Sequence, residues 1–415
     1  KQAGLTPEKE PDTDAPNRLE DVIFRLYKKT GNKVVVLVDE YDKPILDMLH
    51  KPDQAVANRE CLKEIYSIIK DSSDYVRFVF VTGITMFSKS SLFSGLNNLT
   101  DISLDPRYNS ICGFTDHDLD TVFAEEIKTL DRAEIRRWYN GYRWLGEEKI
   151  YNSYGLLLLL NAKKFRSWWF ETGSPTYLYE CLGQKNTLTN LDDFDNCWIN
   201  REDLIVFDVG KVKPRALFFQ SGYLTIVKKE QTGTKIRYQL TYPNLEVRDG
   251  VYRGLLQFLG TNTLKAKQDG KELIKLLDEN NFARFAEKLR FFLADIPHRC
   301  YQHASFEVVY QGFLWIIFKT IGVKCEAEKS TSFGTGDLNL FYQNQIFVME
   351  LKILRSGDNK DTVLAKGIEQ IKTRGYAEEH KNSGKEIHLL ELAFSKEDPD
   401  VVSIAHKKLT DGAAT

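Results

Sequence analysis

Two short strand-like runs rich in β-branched and aromatic residues, joined by a helix-length segment, set the strongest constraint on this chain. Val34 to Val38 is an unbroken β-branched and leucine stretch, and Val76 to Val81 is a second β-rich run. Residues 56 to 71 between them carry helical periodicity. Consecutive rather than alternating apolar positions are what strands buried on both faces of a parallel sheet require. Strand, helix and strand in that order predict a parallel α/β layer. An amphipathic helix from Leu19 to Thr30, stopped by Gly31-Asn32, leads into it.

The chain has 415 residues, too many for one ordinary domain. From Asp116 to about Leu182 helical patterns rich in Trp and Tyr dominate. Short strands (Leu224 to Lys228, Ile236 to Leu240) mix with helix up to residue 260, and 262 to 293 reads as two charged amphipathic helices. The division expected is a flexible lead-in over 1–17, an α/β module over 18–115, a helical and mixed middle region over 116–260, a helical connector over 261–300, and a last α/β domain over 301–415.

A net charge of -2 means that any nucleic-acid surface is a local patch, not a whole-protein field. The six cysteines, none in a CxxC pair, read as free thiols of a reducing compartment, and the expected location is cytoplasmic. No apolar run approaches the roughly 18 residues of a membrane helix, and no signal peptide is recognisable.

The last hundred or so residues carry the chemistry. Ser305 can cap a helix to about Thr320, with Phe306, Val309, Phe313, Leu314 and Ile317 at helical spacing and Glu307 in the first turn. Three strand-like segments follow, Lys324 to Glu328, Asp337 to Tyr342 and Ile346 to Leu351, the last two joined by a tight turn at Asn344. A helix over 363–374 and a strand from Ile387 to Phe394 complete an αβββαβ order. Glu350 and Lys352, two apart on a strand, share one face, and the hairpin brings Asp337 beside them. Two neighbouring carboxylates repel one another, and a hard divalent cation such as Mg²⁺ or Mn²⁺ relieves that repulsion. An E-x-K pair on a strand is usually only a solvated face. Here Asp337, Glu307 and the element order accompany it.

These residues resemble the PD-(D/E)XK nuclease superfamily, and one branch closely. That branch has a G-x-x-D strand, an E-x-K strand and a Q-I-x-x-x-G-Y helix in succession, here Gly334 to Asp337, Glu350 to Lys352, and Gln370-Ile371 with Gly375-Tyr376. Thr335 stands where the branch often has Arg, which weakens the expected phosphate contact. The resemblance implies that Asp337 and Glu350 bind metal and that Lys352 positions the attacking water. Glu307 would assist the metal, and Gln370 and Tyr376 would line the site. For Tyr376, plain packing is an equal alternative.

The N-terminal half resembles the AAA-ATPase-like family often fused to such a domain. Asp39 to Ile45 reads DEYDKPI after a strand, and Asp39 and Glu40 stand in Walker B position, where they would serve Mg²⁺-nucleotide. Thr82-Gly83-Ile84, Trp138 to Tyr142, Thr172 to Thr176, Phe219 to Thr225 and Tyr242 to Asn244 extend the likeness. No G-x-x-x-x-G-K-[ST] phosphate loop occurs. The family carries it upstream of Walker B, and the chain starts at Lys1, not Met. ATP binding is thus expected of the full-length protein and ATPase activity is not expected of this chain. Gly83 to Ser90 mimics a phosphate loop, but Ser88 replaces the glycine needed for close backbone approach.

His298, Cys300 and His303 lack a fourth ligand for zinc and read as an interdomain turn. The aromatics Trp138, Tyr139, Tyr142, Trp144, Trp168 and Trp169 can stack bases or form core, and core is the expected role. Lys352, Arg355, Lys360, Lys366, Lys372 and Arg374 flank the candidate site. The expected activity is Mg²⁺-dependent cleavage of DNA under an AAA-like module, without membrane partners and with an oligomer possible. The rivals are a catalytically degenerate nucleotide-sensing or partner-binding scaffold, and an NTPase whose last domain only grips nucleic acid.

Overall fold

A computed structural model describes residues 15–49, 51–85, 99–172, 194, 196–204, 213–297, 300, 305–331, 334–395 and 402–409. The chain divides into two compact units, Lys1–Leu156 with Cys197–Pro243, and Leu157–Asn196 with Asn244–Thr415.

In the first unit, helix α1 (Ala15–Thr30) precedes strand β1 (Val34–Val38), helix α2 (Pro52–Asp71) and strand β2 (Val76–Val81). α1 already includes the last three residues of the expected lead-in. Pro16 sits in its first turn, where a missing N–H costs no hydrogen bond. β1 and β2 pair in parallel, Val35 opposite Phe78 and Leu37 opposite Phe80. The expected burial on both faces is not seen. Val35, Leu37 and Phe78 are 51%, 70% and 53% exposed. The described sheet has only these two strands, and one of its faces stays open among the described residues.

The DEYD run is locked to the loop after β2. Tyr41 N–H donates to the Thr82 carbonyl at 2.9 Å. The buried Asp42 carboxylate accepts from the N–H of Ile84 at 3.2 Å and from the N–H and hydroxyl of Thr85. The Tyr41 hydroxyl closes the clasp on the Thr85 carbonyl. Gly83 is the residue that permits this fit, because a Cβ there would lie 2.4 Å from the Tyr41 ring and 2.7 Å from Asp42 Oδ1.

Further along this unit come α3 (Asp116–Thr121), α4 (Arg132–Tyr139), the small β3–β4 pair (Asn140–Tyr142, Ile150–Tyr151), β5 (Cys197–Asn200), α5 (Pro214–Gln220), β6 (Thr225–Thr232) and β7 (Lys235–Thr241). β5-β7-β6 form an antiparallel sheet. Several quoted motifs meet here. The Tyr142 hydroxyl donates to the Gly222 carbonyl at 3.0 Å, and Arg143 N–H to the Thr225 hydroxyl at 2.8 Å. Gly141, at φ +135°, faces the Pro243 carbonyl so closely that a Cβ would stand 1.9 Å from its oxygen.

The second unit contains helices α6 (Leu245–Phe258), α7 (Thr263–Asp278), α8 (Phe282–Ala294) and α9 (Phe306–Thr320). After them come β8 (Lys324–Thr331), β9 (Gly334–Tyr342), β10 (Gln345–Leu354), α10 (Lys360–Thr373), β11 (Glu386–Ser395) and β12 (Val402–Leu409). The sheet order is β12-β11-β10-β9-β8, with β10 and β11 parallel across α10 and the other pairs antiparallel. The αβββαβ order is the expected one. β12 was not foreseen.

Ser305 caps α9, its hydroxyl accepting from Val308 N–H at 3.4 Å. α9 is buried on almost every side, Val308 to Phe318 without a break, because the sheet takes one flank and α6 and α7 take others. Gly270 of α7 lets the helices close, since a Cβ there would come 2.9 Å from Ile317. Fully buried side chains such as Phe347, Phe318 and Leu314 contribute about 1.5–3 kcal/mol each. On the other sheet face, Ile346, Val348, Ile387 and Leu389 pack with Ile368 and Ile371 of α10.

Gly83→Ala should force the Tyr41 ring and the Asp42 clasp apart. The expected loss is about 1–3 kcal/mol, read as a lower urea midpoint by tryptophan fluorescence.

Candidate active site

The β9–β10 hairpin turns through Gln343-Asn344, with Gln343 at φ +48°. Its register sets Leu338 opposite Met349, so Asp337 falls beside Glu350. Strand alternation then puts Asp337, Glu350 and Lys352 on the face covered by α10. Sequence reasoning placed these three together, and so does the structure.

Glu350 is 2% exposed. Its Oε1 accepts from Lys352 Nζ at 2.7 Å and from the Gln370 amide of α10. Its Oε2 is buried with no hydrogen-bond partner among the described residues. Asp337 Oδ2 accepts from Leu351 N–H at 2.7 Å. Glu307 reaches the same end of β10 from the first turn of α9, its Oε1 accepting from Ile353 N–H at 3.2 Å. Thus all five expected residues of this domain, Glu307, Asp337, Glu350, Lys352 and Gln370, bear on one end of the sheet.

Two further residues were missed. The buried Gln311 of α9 donates its amide to the Asp337 carbonyl and so fixes the strand that carries the carboxylate. Its position four residues after Glu307 on the same helix face was the available signal. Glu391 of β11 lies directly beside Glu350 in the parallel register. It is fully buried, and neither of its carboxylate oxygens has a partner among the described residues. A charged residue inside the apolar run Ile387 to Phe394 was the signal.

The electrostatics follow from this crowding. Burial first, then the charge of Glu350, push the Asp337 carboxyl up to about 7. Burial and Glu350 push Glu391 up to about 9. Burial opposes the charge on Lys352, but its hydrogen bond to Glu350 and the surrounding carboxylates prevail and raise it. Among the described residues, no three His, Cys, Asp or Glu side chains already close into a cage. What exists is a buried, unpartnered Glu350 oxygen next to a second carboxylate. Oxygen donors with unsatisfied lone pairs suit a hard divalent cation.

Comparisons with known proteins agree with this geometry. Residues 305–403 match the family described as "PD-(D/E)XK nuclease superfamily", and residues 1–93 match "Predicted AAA-ATPase", the AAA-ATPase-like family. The chain is 40% identical over 396 residues to an "Uncharacterized protein in vnfD 5'region" of Azotobacter chroococcum mcd 1, covering 94% of this chain and 75% of that one. The chain is an AAA-ATPase-like protein carrying a PD-(D/E)XK nuclease superfamily domain. No solved structure matches it.

In this AAA-ATPase-like protein Asp39 and Glu40, expected from the sequence as a Walker B pair, stand exposed at the end of β1. Asp39 Oδ1 accepts from the Thr82 hydroxyl at 2.5 Å and from Glu40 N–H at 3.0 Å. Glu40, at φ +51°, approaches Lys43 only loosely, at 3.8 Å. Of the loop-like run Gly83 to Ser90, residues 86–90 lie outside the described residues. The glycine that begins it is filled by the Tyr41 ring. His298 and His303 also lie outside them, and the Cys300 thiol donates to the Phe258 carbonyl at 3.4 Å.

Tyr376 of the nuclease-superfamily domain is 2% exposed and packs with Ile346, Val348 and Ile371. Tyr139, Tyr142 and Trp168 are likewise buried core. Arg355, Lys360, Lys366 and Arg374 are exposed, Arg374 donating to the Tyr376 hydroxyl at 3.2 Å. No described helix is long and apolar enough to cross a membrane.

The raised carboxyls predict a pH dependence. Asp337 and Glu391 keep their protons in the fold to a higher pH than in the unfolded chain. Their contribution to stability is fully present below the ordinary values of 3.8 and 4.5 and is lost as pH rises through about 7 and about 9. Urea midpoints in EDTA should therefore fall from pH 5 to pH 9. Added Mn²⁺ should restore them at the alkaline end, where the carboxylates are free to bind it.

Proposed function

We propose that the protein is a metal-dependent nuclease that hydrolyses phosphodiester bonds in DNA. The observation that carries this reading is the Asp337–Glu350 carboxylate pair, with one buried Glu350 oxygen left unpartnered beside Lys352. Asp337 and Glu350 would hold Mg²⁺ or Mn²⁺. When bound, such an ion supplies Lewis acidity to the phosphate oxygen and acidity to a water molecule.

The protein's own groups do the rest. Gln370 holds Glu350 in place by hydrogen bonding the oxygen that Lys352 also binds. The Lys352 ammonium orients the attacking water and offsets negative charge developing on the phosphate. Glu307 fixes the end of β10 through Ile353 N–H and assists the cation from the α9 side. Exposed Arg355, Lys360 and Lys366 attract the phosphate backbone. The water oxygen attacks phosphorus while the bond to the leaving ester oxygen breaks. The AAA-ATPase-like module, with Asp39 and Glu40 on Mg²⁺-nucleotide, controls this activity in the full-length protein.

Plasmid and single-stranded DNA incubated with Mg²⁺ or Mn²⁺ provide the test. Asp337→Ala and Lys352→Ala should each lower cleavage by about 10²-fold or more. Gln370→Ala, which frees a cation ligand, should weaken metal affinity by about 10–100-fold. Metal-dependent DNA binding with no cleavage by the unaltered protein would favour the scaffold reading, to which the closed Lys352–Glu350 ion pair and Thr335 in place of Arg also lend weight. This chain alone should release phosphate from ATP no faster than the buffer does.

A further inference from the structure

The antiparallel sheet of the first unit has a face that takes no part in the reading above. Cys197, Ile199, Ile226, Tyr238 and Leu240 are buried on its inner side. Strand alternation turns the residues between them outward. Register sets Trp198, Gln239 and Lys228 in one row, Asn200, Arg237 and Glu230 in the next, and Lys235 with Thr232 in a third. A register shift between Ile226 and Lys228 brings Lys228 to this face. Plain alternation from the buried Ile226 would have turned it inward, and re-aiming a side chain is what a bulge does. Lys228, Arg237 and Lys235 are exposed, and Trp198 is half-buried.

Trp198 is placed among cations. The Arg237 guanidinium lies over its ring at 4.5 Å from the centroid, and the Lys228 ammonium at 5.8 Å. Glu230 accepts from Lys228 Nζ at 2.7 Å and from Arg237 Nε and Nη2 at 3.0 and 2.7 Å. Two N–H groups on one carboxylate oxygen fix the guanidinium, so indole and guanidinium form a flat stack. The Arg237 side chain still keeps 55% of its surface exposed. Lys228, Arg237 and Lys235 against Glu230 give these three rows an excess of positive charge, in a chain whose net charge is -2. The rows recur every two residues, roughly 7 Å along the strand. The cations therefore form a track, not a point.

The partner that fits combines flat rings with repeated negative charge. Bases stack on aromatic rings and on guanidinium planes, and a cationic track follows a phosphodiester backbone. Bases inside a duplex stack on one another and show only their edges. A free nucleotide meets one row of the three. An acidic protein segment satisfies the lysines but leaves the indole stack unused. We propose that the outer face of β5-β7-β6 binds single-stranded nucleic acid, with bases on Trp198 and Arg237 and phosphates on Lys228 and Lys235. Glu230 is the internal competitor that the phosphates displace. The face lies wholly within the first unit and needs no cation at Asp337 and Glu350, so it stands or falls separately from the nuclease reading.

The test titrates a labelled oligo(dT) with the full chain in EDTA, which withholds the divalent ions that cleavage needs, and follows fluorescence anisotropy. The unaltered protein should bind it more tightly than a duplex of the same length. Trp198→Ala should weaken binding about tenfold, and Trp198→Phe, which keeps a stacking ring, should recover most of the loss. Lys235→Glu should weaken binding and flatten its dependence on salt. Glu230→Gln should tighten it, because Lys228 and Arg237 are released to the phosphates. Melting followed by circular dichroism checks each fold. Should Trp198→Ala not fold, the exposed pair Lys235→Glu and Glu230→Gln carries the comparison through its opposite signs. Oligo(dT) binding that none of these substitutions changes overturns the proposal, since the strand then lies elsewhere on the chain. Displacement of oligo(dT) by poly-glutamate as readily as by unlabelled oligo(dT) overturns it too, because the face then selects charge alone.

Discussion

Mutual repulsion among carboxylates packed beneath one helix is the interaction around which the last domain is organised. Asp337 and Glu350 are set side by side by hairpin register, and Glu391 joins them from the next strand. Such a cluster would scatter if it were loosely held. The scaffold prevents this with main-chain contacts. Leu351 N–H holds Asp337, Ile353 N–H holds Glu307, and the Gln311 amide holds the Asp337 carbonyl. Strand backbone that would otherwise only pair its neighbour is thus used to anchor acidic side chains. The hydrophobic packing of α9 and α10 on opposite faces supplies the rigidity against which this repulsion is stored.

Unit 1 uses an acid differently. Asp42 is as buried as Glu391, but it is satisfied by two backbone N–H groups and a hydroxyl from the loop after β2. No ligand is needed to make it stable. The contrast separates two meanings of a buried carboxylate. One is a structural clasp whose lone pairs are filled by the chain, and the other is a site whose lone pairs remain open. Asp39 and Glu40, three and two residues earlier, are neither, since both are exposed at the strand end.

Much of this was legible in the residues. The strand-like segments Asp337 to Tyr342 and Ile346 to Leu351, parted by the tight turn at Asn344, gave the hairpin and with it the meeting of Asp337 with Glu350. Helical spacing after Ser305 gave α9 and placed Glu307 in its first turn. Glu391 stands out as an acid within an apolar run, but its neighbours in space were not legible, because they come from parallel pairing across a crossover helix, and parallel register leaves no turn signal to count from. Gln311 acts through a backbone carbonyl, which side-chain patterns do not reveal. Val35, Leu37 and Phe78 misled in another way. A continuous apolar run states that a strand can be covered on both faces, and says nothing about what covers it.

The missing side chain at Gly367 of α10, against which the Glu391 carboxyl lies, ties two distant positions together. Acid at 391 and a lone hydrogen at 367 are one steric solution, since any larger group on the helix would occupy the space of the carboxyl. Replacing glycine there obliges the strand residue to shorten, and shortening the strand residue relaxes the demand for glycine. Positions 367 and 391 should therefore change in concert across related chains, a paired substitution pattern through which the presence or absence of this buried acid can be read from sequence alone.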